Sequence, residues 1–204
     1  MIIRSYEINK NLQNFLKYNF YLLYGENIGL KKDIKNIIQK TDNKTNVEFI
    51  SLYESEIIEN EENFYNFIFS GSLFSSKKII TIFEASDKML KRLTDVCEKN
   101  PENIVVIVIS GILEKKSKIR SFFEKNKDAA CIACYPDSEK DLEIIAKNEF
   151  KKHEINLSRE AINLLIEKSN SDRQNLKNEI EKIISYSVNR KTLELDEIKT
   201  LINF

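Results

Sequence analysis

Short runs of apolar residues alternate along the chain with longer stretches in which apolar residues recur every three or four positions. Phe20-Tyr21-Leu22-Leu23-Tyr24 is an unbroken apolar run closed by Gly25, the pattern of a strand buried on both faces. Residues 28–40 follow with Ile28, Ile34, Ile37 and Ile38 set among polar positions, which predicts a helix. Further strands are predicted over 47–52, 78–83, 104–109 and 129–135, and Ile104-Val105-Val106-Ile107-Val108-Ile109 is the clearest of them. Between them the pattern predicts helices over 55–69 (one, or two short ones), 89–99 and 116–126. Strands alternating with helices imply an α/β fold with a parallel sheet covered on both faces.

The pattern changes after Tyr135-Pro136. Residues 141–152, 158–168 and 171–187 all read as helices, with a short one near 196–202. In the third, Leu176, Ile180, Ile183 and Ile184 share one face. Ser171 and Gln174 have capping-box spacing, so that helix is expected to start at Ser171. The expected organisation is an α/β domain over 1–137 and a small helical domain over 138–204. No internal repeat or low-complexity segment interrupts it.

Composition narrows the class. The chain has 204 residues, with 32 basic and 32 acidic side chains and no net charge. Neutrality argues against a protein whose main work is gripping phosphates, and leaves room only for a local basic patch. The apolar N-terminal stretch is too short for a signal peptide, and no run approaches the ~18 apolar residues of a membrane span. Three cysteines, an odd and sparse set, fit a reducing cytoplasm. Only 4 glycines and 2 prolines argue against a flexible linker.

The first strand-to-helix turn is where an α/β nucleotide-binding protein holds phosphate. Gly25-Glu26-Asn27-Ile28-Gly29-Leu30-Lys31-Lys32 matches that pattern only at Gly25 and Lys31. Leu30 stands in place of the second glycine, Lys32 in place of the magnesium-binding hydroxyl, and Glu26 adds negative charge. A working phosphate loop and a loop-shaped turn without nucleotide are both open readings, and the second is favoured. Phe83 stands where a strand-end acidic pair would begin, and Glu84 reads as a surface residue. Cys131 and Cys134 have CxxC spacing inside a predicted strand, where i and i+3 point to opposite faces, so they read as buried thiols and no metal set is expected. His153, the single histidine, reads as a surface residue. Phe64, Tyr65, Phe67, Ile68 and Phe69 read as core. Lys115, Lys116, Lys118 and Arg120 open a predicted helix as a solvated basic face or, alternatively, a DNA-backbone contact. Asp172-Arg173 is either a cap and ion pair or a further contact.

The stretch Ser70-Gly71-Ser72-Leu73-Phe74-Ser75-Ser76-Lys77-Lys78 is out of keeping with its surroundings. Two large apolar side chains sit among residues that mark a surface turn. Leu73 and Phe74 either fold back into the chain's own core or are meant for a partner.

Taken together, the sequence resembles the delta subunits of the bacterial DNA polymerase III clamp loader. The resemblance rests on FYLLYGENIGLKKDI at 20–34, GSLFSSKKIITIF at 71–83, IVVIVISGILEKKSKIRSFFE at 104–124, AACIACYPDSEKDLEIIAK at 129–147 and SDRQNLKNEIEKI at 171–183. It implies a RecA-like parallel-sheet module of the AAA+ type (ATPases associated with diverse activities), followed by a helical lid. It implies a subunit that does not hydrolyse ATP, so neither catalytic residues nor a cofactor are expected. Delta-like proteins bind the ring-shaped sliding clamp (beta) and help open it. Their clamp-binding Leu-Phe pair carries over to Leu73 and Phe74, with Ser72 and Gly71 beside them, although Gly71 departs from the larger residue sometimes found there. A helical collar domain that assembles the loader would follow residue 204. Its absence from this chain implies retained clamp binding and poor assembly with the other loader subunits.

Overall fold

Among the described residues six strands join in one parallel sheet, ordered β1-β6-β2-β5-β4-β3. They are β1 (Ile2–Ile3), β2 (Phe20–Tyr24), β3 (Val47–Tyr53), β4 (Lys77–Phe83), β5 (Ile104–Ile109) and β6 (Ala129–Ala133). The computed structural model describes residues 2–3, 8, 11–40, 46–70, 77–188 and 190–202. β2 lies near the middle, with Leu22 paired to Val108 on one side and Cys131 on the other, and all five of its residues are buried. Its unbroken apolar run follows directly from having neighbours on both edges and helices on both faces.

The helices are α1 (Leu12–Phe15), α2 (Ile28–Lys40), α3 (Glu54–Glu59), α4 (Glu61–Phe69), α5 (Leu90–Lys99), α6 (Lys118–Lys125), α7 (Glu139–Lys152), α8 (Arg159–Lys168), α9 (Arg173–Tyr186) and α10 (Leu195–Ile202). Two compact units result: Met1–Glu26 with Lys31–Cys134, and Asn27–Leu30 with Tyr135–Phe204. In the first, Leu22, Ile80, Ile82, Val106 and Val108 of the sheet pack against Ile57, Phe64, Ile68, Leu93, Val96, Ile119 and Phe123 of the helices. In the second, Leu142, Ala146, Phe150, Leu165, Leu176, Ile180, Ile183 and Ile198 form a separate core.

Several expectations need correction. The two-residue strand β1 carries too short a signal to be read from a pattern. The stretch 55–69 takes the second of its two expected forms, two short helices, with Asn60 between them accepting a bond from Asn63 N at 3.0 Å and capping the second. β6 ends at Ala133 rather than at Tyr135. α6 begins at Lys118, capped by Ser117, so Lys115 and Lys116 precede the helix. Ile28 is 75% exposed, unlike the buried Ile34 and Ile38 of the same helix. α9 is capped by Asp172, which accepts from Asn175 N at 2.8 Å. Ser171 has φ +57°, outside the extended region an N-cap requires, so the capping falls to the next residue.

The first unit is tied together by caps that cross between elements. Asp87 Oδ1 accepts from Ser117 Oγ at 2.8 Å and from Ile119 N at 2.9 Å, closing the start of α6 from a turn 30 residues earlier. Glu54 does the same for the turn after β4, accepting from Ser86 N at 2.6 Å and Ser86 Oγ at 2.9 Å. The bond from Ile119 N holds the Asp87 carboxyl below the usual aspartate range, helped by Lys118 and Ser117. A depressed folded pKa means the stabilisation is present above the unfolded value of ~3.9 and fades as pH falls through the folded value. Asp87→Ala should cost about 1 kcal/mol at neutral pH. Chemical denaturation of both proteins across pH 2–7 is expected to show the gap closing at the acid end.

Candidate functional site

The turn after β2 is shaped by contacts its backbone makes with the ends of neighbouring strands. Gly25 has φ +124°, and a Cβ there would stand 2.3 Å from the carbonyl oxygen of Cys134. Only glycine permits that approach. The same junction carries bonds from Gly25 N to Gly111 O at 2.9 Å and from Cys134 N to Tyr24 O at 2.6 Å.

Lys31 turns back under this junction. Its Nζ donates to Gly25 O and to Ser110 O, each at 2.9 Å, and the residue is only 8% exposed. Burial lowers its pKa from the ordinary lysine value. Ser110 in turn donates from N to Leu23 O at 2.9 Å and from Oγ to Ala85 O at 2.7 Å. One buried ammonium therefore gathers the carbonyl ends of β2 and β5, and Ser110 adds Ala85, two residues past the end of β4. A phosphate at this turn would have to compete with two carbonyl groups for Lys31. Lys32 and Glu26 are exposed.

In the second unit, the first turn of α2 is also engaged. Leu30 N donates to Asn27 Oδ1 at 2.8 Å. Asn27 Nδ2 donates to Tyr135 O at 3.0 Å and to Asp137 Oδ2 at 2.7 Å. Asp137 also receives a forked contact from Arg173, with Nε to Oδ2 at 2.7 Å and the guanidinium NH2 nitrogen to Oδ1. Asp137 and Arg173 expose only 5% and 13% of their side chains, a planar fork on a carboxylate. The cap-and-ion-pair reading of Asp172-Arg173 matches this geometry. Asn27 lies in the phosphate-loop-like turn and Asp137 in the stretch at 129–147, but neither side chain has a role legible in the sequence.

Gly71, Ser72, Leu73 and Phe74 lie outside the described residues. Both flanks are described. α4 ends at Phe69 with Ser70 as its C-cap, and β4 begins at Lys77. Lys78 sits on the sheet face that Ile80 and Ile82 share and is 6% exposed. Its ammonium donates to Phe67 O at 3.1 Å, Ser70 O at 2.7 Å and Ser70 Oγ at 3.4 Å. Tyr65 and Phe69 stack at 6.0 Å on the outer side of α4, with Lys99 Nζ 4.8 Å from the Phe69 ring. Phe64 and Ile68 are core as expected, whereas Phe69 is 41% exposed.

The basic run divides. Lys115, Lys116 and Lys118 are exposed and, with Lys125, line one groove that also takes in Leu90, Thr94, Ser121 and Phe122. Arg120 departs from this face: it donates to Glu124 Oε1 at 2.8 Å and Leu113 O at 3.0 Å and lies 4.9 Å over the Tyr24 ring. Cys131 and Cys134 are buried, and burial pushes the Cys131 thiol up to about 12, so it stays protonated. His153 and Glu84 are exposed. No helix among the described residues is long and apolar enough to cross a membrane.

If Lys31 is the tie described, removing its charge leaves two buried carbonyls without a donor. Lys31→Met should destabilise the chain by about 1–3 kcal/mol. Urea denaturation should read this as a lower midpoint with an unchanged slope.

Comparison with known proteins agrees with this architecture. The family described as DNA polymerase III, delta subunit, matches residues 21–135. A probable DNA polymerase III subunit delta of Aquifex aeolicus is 27% identical over 201 residues, covering 90% of this chain and 54% of the relative. One of Rickettsia prowazekii is 24% identical over 191 residues, covering 92% and 56%. The chain thus spans about half the length of the curated relatives it matches. Among solved structures, the Bacillus subtilis clamp loader delta protein superposes with a TM-score of 0.64 at 17% identity, over 97% of this chain and 62% of that one. A Thermotoga maritima RuvB variant gives 0.60 at 11% identity, over 98% and 66%. The fold is the RecA-like module of AAA+ proteins followed by a helical lid. With its family match extending over more than half of its residues, the chain belongs to the DNA polymerase III delta subunit family.

Proposed function

We propose that this chain binds the sliding clamp through Leu73 and Phe74, with Ser72 and Gly71 beside them, and helps open the ring for loading on DNA. The observation that carries the reading is an apolar pair in a polar stretch whose two flanks, the end of α4 and the start of β4, are joined by the buried Lys78. Burying each side chain in an apolar cleft contributes about 1.5–3 kcal/mol. A compact pair of this kind behaves as a hot spot. Ring opening needs more than affinity, because the complex must favour the open ring over the closed one. The helix face adjoining the pair is the element that presses near the clamp's subunit interface. In the full loader, ATP on the motor subunits exposes it.

The chain itself works without hydrolysing ATP. The engagement of Lys31 by Gly25 and Ser110, and of Leu30 N by Asn27, supports this over an active phosphate loop. The two units act as the α/β module and the lid. The chain's further partners are the other loader subunits, and the setting is the cytoplasm.

Leu73→Ala with Phe74→Ala should weaken clamp binding by roughly thirtyfold or more, with or without magnesium-ATP. Titration calorimetry against the bacterial sliding clamp checks it. Unchanged affinity removes the proposal, and ATP-dependent affinity returns the chain to the ATPase reading.

A second reading rests on the lysine groove. Lys115, Lys116, Lys118 and Lys125 line one surface that suits a phosphate backbone. Contacts from these four lysines should give duplex DNA affinity with a log–log salt slope of about −3.6. Fluorescence anisotropy between low and moderate salt measures that slope, and a flat response removes this reading.

A further inference from the structure

β3 closes one side of the sheet: among the described residues it pairs with β4 alone. Every second residue of an edge strand turns its N–H and C=O away from the sheet, which leaves a template for one more strand. Tyr53 has this parity, because its N–H donates to Glu56 Oε2 at 2.8 Å in the cap of α3. Phe49 and Ser51 share it by alternation. Edge strands are ordinarily guarded by proline, lysine or a bulge. The run Val47-Glu48-Phe49-Ile50-Ser51-Leu52-Tyr53 contains none of these and pairs residue for residue with 77–83.

The surface beside that edge has room and grease for side chains. Phe49 is 55% and Tyr53 46% exposed. A groove runs along the edge against α3 and α4, with Leu52, Phe64 and Phe67 as its apolar part and Ser51, Glu56 and Glu59 at its polar margin. Ser51 thus belongs both to the open backbone edge and to the groove.

Charge selects the occupant. Between residues 46 and 70 stand six glutamates and no lysine or arginine. Glu54 and Glu61 are engaged within the chain, by Ser86 and Arg92. Glu56 and Glu59 are exposed at the groove itself. The ammonium of Lys78 is held by the carbonyls of Phe67 and Ser70 at the far end of α4. A second copy of this chain laid edge to edge would set glutamates against glutamates, which is unfavourable. An extended segment that alternates basic and apolar residues meets the open backbone, the charge and the apolar surface together.

We propose that the β3 edge and its acidic groove bind an extended, basic segment of a partner protein, which adds to the sheet as one further strand. Backbone bonds to Phe49 and Ser51 hold it in register. Its apolar residues cover the exposed rings of Phe49 and Tyr53 or enter the groove over Leu52 and Phe67, and its basic residues face Glu56 and Glu59. The site is independent of the clamp-binding reading.

The test uses the whole chain and a short end-capped peptide of alternating lysine and valine, labelled with fluorescein and followed by anisotropy. This peptide should bind saturably, and at least about tenfold more tightly than its glutamate–valine counterpart. Amide exchange followed by NMR should show Phe49 and Ser51 protected in the complex. Ser51→Pro, which removes a donor at a position where an edge strand tolerates proline, should weaken binding about tenfold. Glu56→Gln with Glu59→Gln, which keeps the capping oxygen of Glu56 and removes the charge, should do the same at low salt. Absence of saturable binding overturns the proposal. So does binding that leaves the Phe49 and Ser51 amides exchanging as before, since charge attraction alone would do that. A dimer in sedimentation that Ser51→Pro dissociates puts a second copy on this edge and overturns it too. Should Ser51→Pro fail to fold, the amide protection and the glutamine pair decide.

Discussion

A single buried ammonium organises the end of the sheet from which functional loops depart in this fold. Lys31 sits beneath the β2–α2 turn and donates to the carbonyls of Gly25 and Ser110. Two strands and a helix meet there, and Gly25 is indispensable because the Cys134 carbonyl leaves no space for a side chain. In a nucleotide-binding relative of this architecture, a lysine at this place faces phosphate oxygens. Here backbone oxygens take that role. The same electrostatic demand, oxygen around a partly buried cation, is met from within the chain, and the turn becomes a structural joint.

The same device recurs at the end of α4. Lys78 is again a buried cation answered by backbone oxygens, and again it joins a strand to a helix terminus. The two lysines differ in what they adjoin. Lys31 stabilises a turn whose groups are engaged with one another. Lys78 joins the end of α4 to the start of β4. The chain thus keeps an AAA+-like α/β fold in which both lysines are engaged by the chain's own oxygens.

Much of the fold is legible in the sequence because strands buried on both faces cannot hide. The runs at 20–24 and 104–109 became the central β2 and β5, and the face of Leu176, Ile180 and Ile183 became a core face of α9. The misses have physical causes. Ser171 and Asp172 both offer a capping oxygen, and only backbone conformation decides between them. Asp87 caps a helix 30 residues away and Arg120 folds inward onto Tyr24 and Glu124, contacts that local periodicity does not encode. At the site, the loss of the phosphate pattern was visible in Leu30 and Lys32, but the engagement of Lys31 was not, because its acceptors come from a strand end 79 residues on as well as from Gly25. Lys78 left one readable trace, a charge at an alternating position of an apolar strand.

Hydrogen–deuterium exchange of the chain with and without the bacterial sliding clamp tests the central claim most directly. The account predicts clamp-dependent protection over residues 71–76 and the last turn of α4, with the turn at 25–32 and the lysine groove at 115–125 unchanged. Protection confined to that groove, or at no segment under saturating clamp, would contradict it.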